Sequence, residues 1–398
     1  MSVQYKDAKM SSYWNKKPVM KLEEKYYKTE QIKVLKKKDE LTVLPDGYSF
    51  YKIELTNDID MLSVSEFLTK YYRRGTNSTY ITKFDTDLLR WEMNNDGFFL
   101  VIKHLVDGHI IGLIGQTKRH FQLYDKTYDS TEQMYLCVNT DFRSQQVSKA
   151  LIEELIRTTN NDNSIFSNNR IVCRPLSCLR QFSRPINYMK LKENDFIQIQ
   201  SVDDEFAHKK TKIVLKPNPK YVIAENNEEN IKTVYDLYRK SMETFSMHVV
   251  LDIKGVENYF FNNKYVRTLL IRDDNDNVVD FVSYRYYDIV NTNKQDNNII
   301  KAANVLMYSS ITINTDIIIM NLLKQVAHDK IDILYLDDMM YSSDVILNGE
   351  KSVEEDSDNE VGNYDMNMIK TGKKYFITLF NIKCETMKQN MVSWLNFN

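Results

Sequence analysis

The sequence has little of what most functional signatures are built from. Four cysteines (Cys137, Cys173, Cys178 and Cys384) occur in 398 residues without a CxxC pair, which argues against zinc modules and favours a reduced compartment. Glycine numbers 10 and proline 6, and no P-loop, GxGxxG or GxSxG run occurs. NTPase, dinucleotide-binding and α/β-hydrolase readings therefore have no carrier. Six histidines (His104, His109, His120, His208, His248 and His328) show no HxxxH or HxxE spacing, so no metal is expected. No apolar run approaches the roughly 18–20 residues that cross a bilayer, and Met1–Lys6 has no apolar stretch of signal-peptide type. A cytoplasmic protein without a membrane span is expected. Lys+Arg 53 against Asp+Glu 55 gives −2, which removes any global argument for a nucleic-acid partner.

What is present is core material. Hydrophobic residues make up 42% and charged residues 27%, an ordinary globular composition with enough length for two or three domains or one large pseudo-symmetric one. Charge is unevenly placed: residues 1–40 hold 11 basic and 6 acidic side chains, and residues 350–365 hold 7 acidic and 1 basic. Segment 348–365 reads as an exposed acidic loop and Lys36–Lys38 as a solvated charge run.

One order of elements occurs twice. Phe98–Lys103 and His109–Gln116 are β-prone runs around the turn signal Asp107-Gly108, followed by a third run at Glu132–Val138. A helix then places Val147, Leu151, Ile152 and Leu155 on one face, and a strand is expected at Arg170–Arg174. The second half repeats this with a hairpin of Tyr265–Arg272 and Val278–Tyr287, a strand at Ala303–Ile313, a helix capped at Thr315 or Asp316, and a strand at Ile331–Leu336. Helices at Met61–Tyr72 and Asn230–Phe245 precede the two hairpins. This predicts a duplicated α+β core, with mixed sheets flanked by helices, divided into residues 1–208 and 209–398.

The junction that could carry chemistry is 132–156, a strand, a polar loop and a helix start. A helix N-terminus offers unpaired N–H groups and the positive end of a dipole, which suits a diphosphate, and Arg143 opens the loop. The adjoining strand could aim an N–H at a reacting carbonyl.

Five motifs in order resemble the eukaryotic N-myristoyltransferase family. Tyr13-Trp14-Asn15-Lys16-Lys17-Pro18-Val19 is similar to F-W-x-x-x-P-V, and Leu44-Pro45-Asp46-Gly47-Tyr48-Ser49-Phe50 to L-P-x-G-F-S/T-W. Residues 132–146, EQMYLCVNTDFRSQQ, resemble the hallmark E-I/V-N-F-L-C-V-H-x-x-L-R-S-K-R. Arg174-Pro175-Leu176 with Arg180, Arg184, Asn187, Lys190-Leu191, Glu193 and Phe196 follows the K-P-V motif, and Leu379–Cys384 resembles L-Y-N-W-K-C.

The resemblance implies two pseudo-symmetric halves like those of acyl-CoA N-acyltransferases (GNAT-like). The first would hold myristoyl-CoA and the second would shape the site for a peptide with an N-terminal glycine. Myristoyl-CoA would be the acyl-donor substrate, no further cofactor is implied, and a monomer is expected. By the same resemblance the backbone N–H groups of Tyr135 and Leu136 form the oxyanion hole, and the terminal carboxylate of Asn398 is the base, with Trp394 and Phe397 anchoring the tail. Tyr13, Trp14 and Arg143, Ser144, Gln145, Gln146, Val147, Ser148 and Lys149 would bind the acyl-CoA. Ser167, Tyr71 and Arg73 would meet the peptide.

There are departures from the family. Gln145 and Gln146 replace two cations, Tyr71-Tyr72-Arg73-Arg74-Gly75 replaces an acidic loop, Asn169 replaces a glycine, and Ser183 replaces a histidine. After Cys384 the tail runs 14 residues, one more than is usual in the family. Three functional readings follow: an active, divergent transferase, an inactive relative that binds lipid or peptide, or an acyltransferase for a different acyl chain or amine.

Overall fold

The computed structural model describes residues 9–32, 42–72, 79–159, 163–197, 217–261, 264–295, 298–342, 346 and 368–397. The Lys36–Lys38 run, Arg73, the acidic 348–365 segment and Asn398 lie outside them. The chain forms two compact units, Met1–Cys178 with Tyr375–Met387, and Leu179–Lys374 with Lys388–Asn398. A late segment, Tyr375–Met387, thus returns to the first unit.

In the first unit α1 (Ser12–Asn15), β1 (Glu30–Gln31) and β2 (Tyr48–Glu54) precede α2 (Asp58–Tyr71), β3 (Tyr80–Thr82) and α3 (Thr86–Glu92). Then come β4 (Gly97–His104), β5 (Ile110–Leu123), β6 (Lys126–Val138), α4 (Val147–Thr158) and β7 (Ser164–Asn168). Strands β2, β4, β5 and β6 pair antiparallel in that order, and β7 returns parallel to β6.

The sequence of β5 explains its central place. Ile110–Thr117 is buried throughout, because both faces of the sheet are covered there, and the ladder irregularity that leaves Ile111 unpaired resets which residues serve which face. Ile110 and Leu113 join Met61, Val64 and Leu68 of α2, whereas Ile111 and Ile114 join Val147, Leu151 and Leu155 of α4. Gly112 lets α4 lie directly on the sheet, since a Cβ there would come within 2.7 Å of Val147 Cγ1.

The second unit contains most of β8 (Ser177–Pro185), then α5 (Tyr188–Glu193), β9 (Tyr221–Ile223), α6 (Glu228–Met242), β10 (Met247–Val249) and α7 (Ile253–Phe260). It continues with β11 (Val266–Arg272), β12 (Val278–Asn291), β13 (Ile299–Tyr308), α8 (Thr315–His328) and β14 (Ile333–Asp337). Pairings β11–β12 and β12–β13 are antiparallel, and β14 runs parallel to β13. This is the order of the first unit again, so the α+β duplication read from hydrophobic spacing is present in the fold. Strand β15 (Ile369–Phe380) crosses back into the first unit, pairing with β7 through Phe376–Phe380, and is followed by β16 (Ile382–Lys383) and, in the second unit, β17 (Val392–Ser393).

Three local expectations are corrected. The strand after α4 is Ser164–Asn168, not Arg170–Arg174. The latter stretch is held as a loop, with Cys173 buried and the Arg174 N–H donating to Met20 O at 3.0 Å. Helix α8 is preceded by Asn314 as its N-cap rather than by Thr315 or Asp316. Strand β13 ends at Tyr308 instead of Ile313 because the Asp280 carboxylate accepts the N–H groups of Ile311, Thr312 and Ile313 at 2.8–2.9 Å. Among the described residues no helix is long and apolar enough to cross a membrane.

Candidate active site

The β5–β6 ladder breaks where the sequence places its candidate oxyanion donors. Leu113 faces Cys137 and Gly115 faces Met134, so Tyr135 and Leu136 together stand opposite Ile114 as a bulge. Tyr135 adopts φ +58°, a left-handed conformation that costs a non-glycine residue on the order of 1–3 kcal/mol and persists only where packing holds it. That packing is aromatic: the Tyr135 ring lies 5.5 Å from Tyr72, 5.8 Å from Phe84 and 6.0 Å from Phe99. A bulge takes its extra residue out of the regular ladder. The Tyr135–Leu136 N–H groups can therefore turn toward a ligand, and Leu136 is 41% exposed.

Among the described residues the Tyr135 hydroxyl has no hydrogen-bond partner, although its residue is only 4% exposed. Tyr135→Phe should consequently stabilise the first unit by about 1 kcal/mol, because it removes a desolvated donor and leaves the ring in place. Urea unfolding checks this, and a loss of stability would show that the hydroxyl is satisfied in solution.

From β6 the chain enters a short 3₁₀ turn, Thr140–Phe142, closed by the Asn139 side chain accepting the Asp141 N–H at 3.2 Å. Arg143, Ser144, Gln145 and Gln146 follow, all exposed, with φ +78° at Ser144 and +61° at Gln146. Arg143 Nε donates to Val138 O at 3.4 Å, and Gln145 Nε2 to Asp141 O at 3.3 Å. Asn57 caps α2 and Asp85 caps α3 through their side chains, but Gln146 gives α4 no such bond. The first-turn N–H groups of Val147 and Ser148 thus have neither an intrahelical acceptor nor a side-chain cap. Lys149 is exposed one turn further on, with Nζ 3.3 Å from Gln146 Oε1 and 6.0 Å from the Tyr13 ring centre.

Tyr13 and Trp14 lie at the same corner of this unit. Lys17 pairs with Glu153 of α4 and sits 4.9 Å above the Tyr13 ring. Burial, and then the Glu153 carboxylate, hold the Tyr13 hydroxyl above the ordinary tyrosine range. Trp14 stacks on Phe166 at 5.6 Å, next to the half-buried Ser167 on β7. Tyr71 is elsewhere, half-buried at the end of α2 and packed in the aromatic cluster around Tyr135. Cys137 is buried, which pushes its thiol up to about 12, so it is no nucleophile at neutral pH.

In the second unit the tail is anchored up to its last described residue. Trp394 is buried, Phe397 stacks on Tyr259 at 5.7 Å, and Arg285 Nη2 donates to Phe397 O at 2.7 Å. Asn396 Nδ2 donates to Asp337 Oδ2 at 2.6 Å. Asp337 is a residue the sequence reading missed. Burial pushes its carboxyl up to about 7, with the neighbouring Asp338 adding to the rise. The signal in the sequence was the Asp337-Asp338 pair ending an apolar run.

The corresponding loops of the two units differ in what occupies them. In the second unit Asp280, fully buried on β12, accepts from Ser309 Oγ and from three consecutive loop N–H groups. Its carboxylate therefore already occupies the loop donors. The first-unit loop carries Arg143 in the same part of the repeat, and among its described residues no buried carboxylate accepts the loop N–H groups. Asp316, at the start of α8, accepts the Ile317 N–H at 2.9 Å.

Comparison with known proteins agrees with this architecture. Residues 28–178 match the model of the family described as myristoyl-CoA:protein N-myristoyltransferase, N-terminal domain. A probable glycylpeptide N-tetradecanoyltransferase of Caenorhabditis elegans is 22% identical over 419 aligned positions, covering 97% of this chain and 85% of that protein. The Candida albicans glycylpeptide N-tetradecanoyltransferase is 22% identical, with 71% of this chain aligned to 66% of its length. The crystal structure of Saccharomyces cerevisiae N-myristoyltransferase with bound myristoyl-CoA superposes with a TM-score of 0.85 at 15% identity, covering 96% of this chain and 95% of that one. The fold is thus shared almost end to end, although few residues are identical. The family model thus falls on the very segment that holds the bulge, the Arg143 loop and α4, and over it the chain is similar to the N-myristoyltransferases.

Proposed function

We propose that this protein transfers a myristoyl group from myristoyl-CoA to the N-terminal glycine amine of proteins. The observation that carries the reading is the Tyr135–Leu136 bulge, leading through the Arg143 loop into an α4 start that has no side-chain cap. Arg143, Lys149 and the N–H groups of Val147 and Ser148 receive the CoA diphosphate. Tyr13 and Trp14 close over the donor, and Ser144, Gln145 and Gln146 shape the loop. Ser167, Tyr71 and Arg73 of the first unit are assigned to the peptide.

The peptide ammonium, of pKa roughly 8, gives one proton to the carboxylate at Asn398. The free amine attacks the thioester carbonyl, and the Tyr135 and Leu136 N–H groups hold the oxyanion. Collapse forms the amide, breaks the C–S bond and releases CoA thiolate, which takes up a proton. The reaction uses myristoyl-CoA as substrate without a further cofactor and is assigned to a monomer in the cytoplasm.

Intact-mass analysis of peptides incubated with the purified protein and myristoyl-CoA tests the reading. A Gly-starting peptide should gain one myristoyl group, its Ala-starting counterpart none, and deletion of the last residues should abolish the gain. Bound myristoyl-CoA without transfer would establish the lipid-binding alternative; neither binding nor transfer would refute both.

A further inference from the structure

The tip of the β4–β5 hairpin gathers three ligand-type side chains that the proposed reaction does not use. His104 ends β4, Asp107 stands in the turn and His109 follows Gly108. The His104 N–H donates to His109 O at 3.0 Å and the Gly108 N–H to His104 O at 2.9 Å, so the two histidines face each other across the hairpin. Asp107 Oδ1 lies between them, 2.9 Å from His104 Nδ1 and hydrogen-bonded to His109 Nδ1. The His109 N–H, 3.2 Å from the same oxygen, helps fix its position. All three ligand atoms lie within 4.8 Å of one another.

The surroundings limit how far these side chains can stray. The His104 ring packs 5.3 Å from Tyr48 and 5.3 Å from the His109 ring. Behind the tip, the Leu105 N–H donates to Gly47 O at 2.8 Å, tying the hairpin to the segment before β2. Histidine spacing alone could not reveal this cluster: H-x-x-D-x-H fits neither the HxxxH nor the HxxE template, and the hairpin, not a helix, supplies the convergence.

We propose that His104, Asp107 and His109 form a three-ligand site for one divalent transition-metal ion of the zinc class, with water in the fourth position. Two imidazole nitrogens and one carboxylate oxygen are the donor set that zinc and its neighbours take, whereas magnesium and calcium require mostly oxygen. Metal–ligand bonds of about 2.0–2.2 Å in a tetrahedral site place donor atoms roughly 3.3–3.6 Å apart. Small changes in side-chain torsions open the present hydrogen-bonded spacing to that range. The ion takes the place of the imidazole protons now shared with Asp107, and the three ligands come from one rigid turn, so little ordering is required on binding.

The test titrates the full-length, chelator-dialysed protein with Zn²⁺ by calorimetry and with Co²⁺ by visible absorption. One equivalent should bind, and Co²⁺ should give the intense bands of low coordination number. His104→Ala and His109→Ala should each weaken binding at least tenfold, whereas His120→Ala, on a different hairpin, should leave it unchanged. Should an alanine variant fail to fold, Asp107→Asn keeps the shape of the turn and should still lose affinity. Absence of stoichiometric binding, or binding that survives His104→Ala/His109→Ala in a folded protein, would overturn the site. The outcome does not depend on acyl transfer, because it reads metal binding alone.

Discussion

Replacing Asp280 with alanine is expected to lower the stability of the second unit by about 3–4 kcal/mol, the largest loss we expect from a single side chain outside the apolar core. The carboxylate is fully buried and accepts hydrogen bonds from Ser309 Oγ and from the N–H groups of Ile311, Thr312 and Ile313, all at 2.8–2.9 Å. A hydrogen bond to a charged group contributes roughly 1.5–3 kcal/mol. The four are not additive, because Thr312 is exposed and water can satisfy its N–H once the carboxylate is gone. Ser309 has no such recourse: it is fully buried, and its Oγ also accepts the Phe281 N–H at 3.0 Å. Asp280→Asn should retain about half the stability, since one acceptor oxygen remains while the new NH₂ opposes the loop donors. Hydrogen exchange at Ile311–Ile313, followed with urea unfolding, reads both effects. A loss below about 1 kcal/mol in the alanine variant would mean that the loop is held by its flanking strand and helix instead.

This residue also marks the limit of what the sequence discloses. The hairpins, the long helices and their order were legible, because the β-prone runs Phe98–Lys103 and His109–Gln116 around Asp107-Gly108, and the spacing of Val147, Leu151 and Leu155, express local geometry directly. The Arg143 loop was legible for the same reason, since polar residues separate a strand from a helix. Asp280 was not: it is a single acid within an apolar strand, and its partners lie some thirty residues downstream, reached only through the β12–β13 pairing. The same holds for His104, Asp107 and His109, which a template of helical spacings cannot detect. It holds again for Asp337, whose carboxyl is raised by burial that only the folded chain creates, against the opposing pull of Asn396 and Arg285. The strand at Ser164–Asn168 was missed because its partners, β6 and β15, decide it, while Arg170–Arg174 has the better β composition and no strand to pair with. For the candidate site, the resemblance supplied roles for Tyr135 and Leu136, but only the register break and the +58° φ of Tyr135 give those roles a geometry.

Removing both cations of the first-unit loop, Arg143→Ala with Lys149→Ala, should weaken CoA binding by about three orders of magnitude. Each charge-assisted contact to a phosphate is worth roughly 1.5–3 kcal/mol, so a single variant should lose about ten- to a hundredfold. The loop supplies no other cation: Ser144, Gln145 and Gln146 are neutral, and Gln146 lends α4 no side-chain cap. Backbone N–H groups and the helix dipole remain in the double variant and set the residual affinity. Because all four loop residues and Lys149 are exposed, the difference should shrink as salt rises and the Debye length falls below about 10 Å. Transfer at saturating myristoyl-CoA should change much less than KM for the donor, since the proposed role of these groups is to hold the nucleotide end, away from the thioester. The converse substitution, Gln145→Lys with Gln146→Arg, should tighten CoA binding at low salt. It should do so without added backbone strain, because position 146 already holds a non-glycine residue at φ +61°. Calorimetry with CoA over a range of salt concentrations separates these outcomes. Unchanged affinity in the Arg143→Ala/Lys149→Ala protein would place the phosphates elsewhere and remove the loop from the site. A loss confined to KM, reversed in sign by the added cations, identifies residues 143–149 as the cradle on which the acyl donor is held.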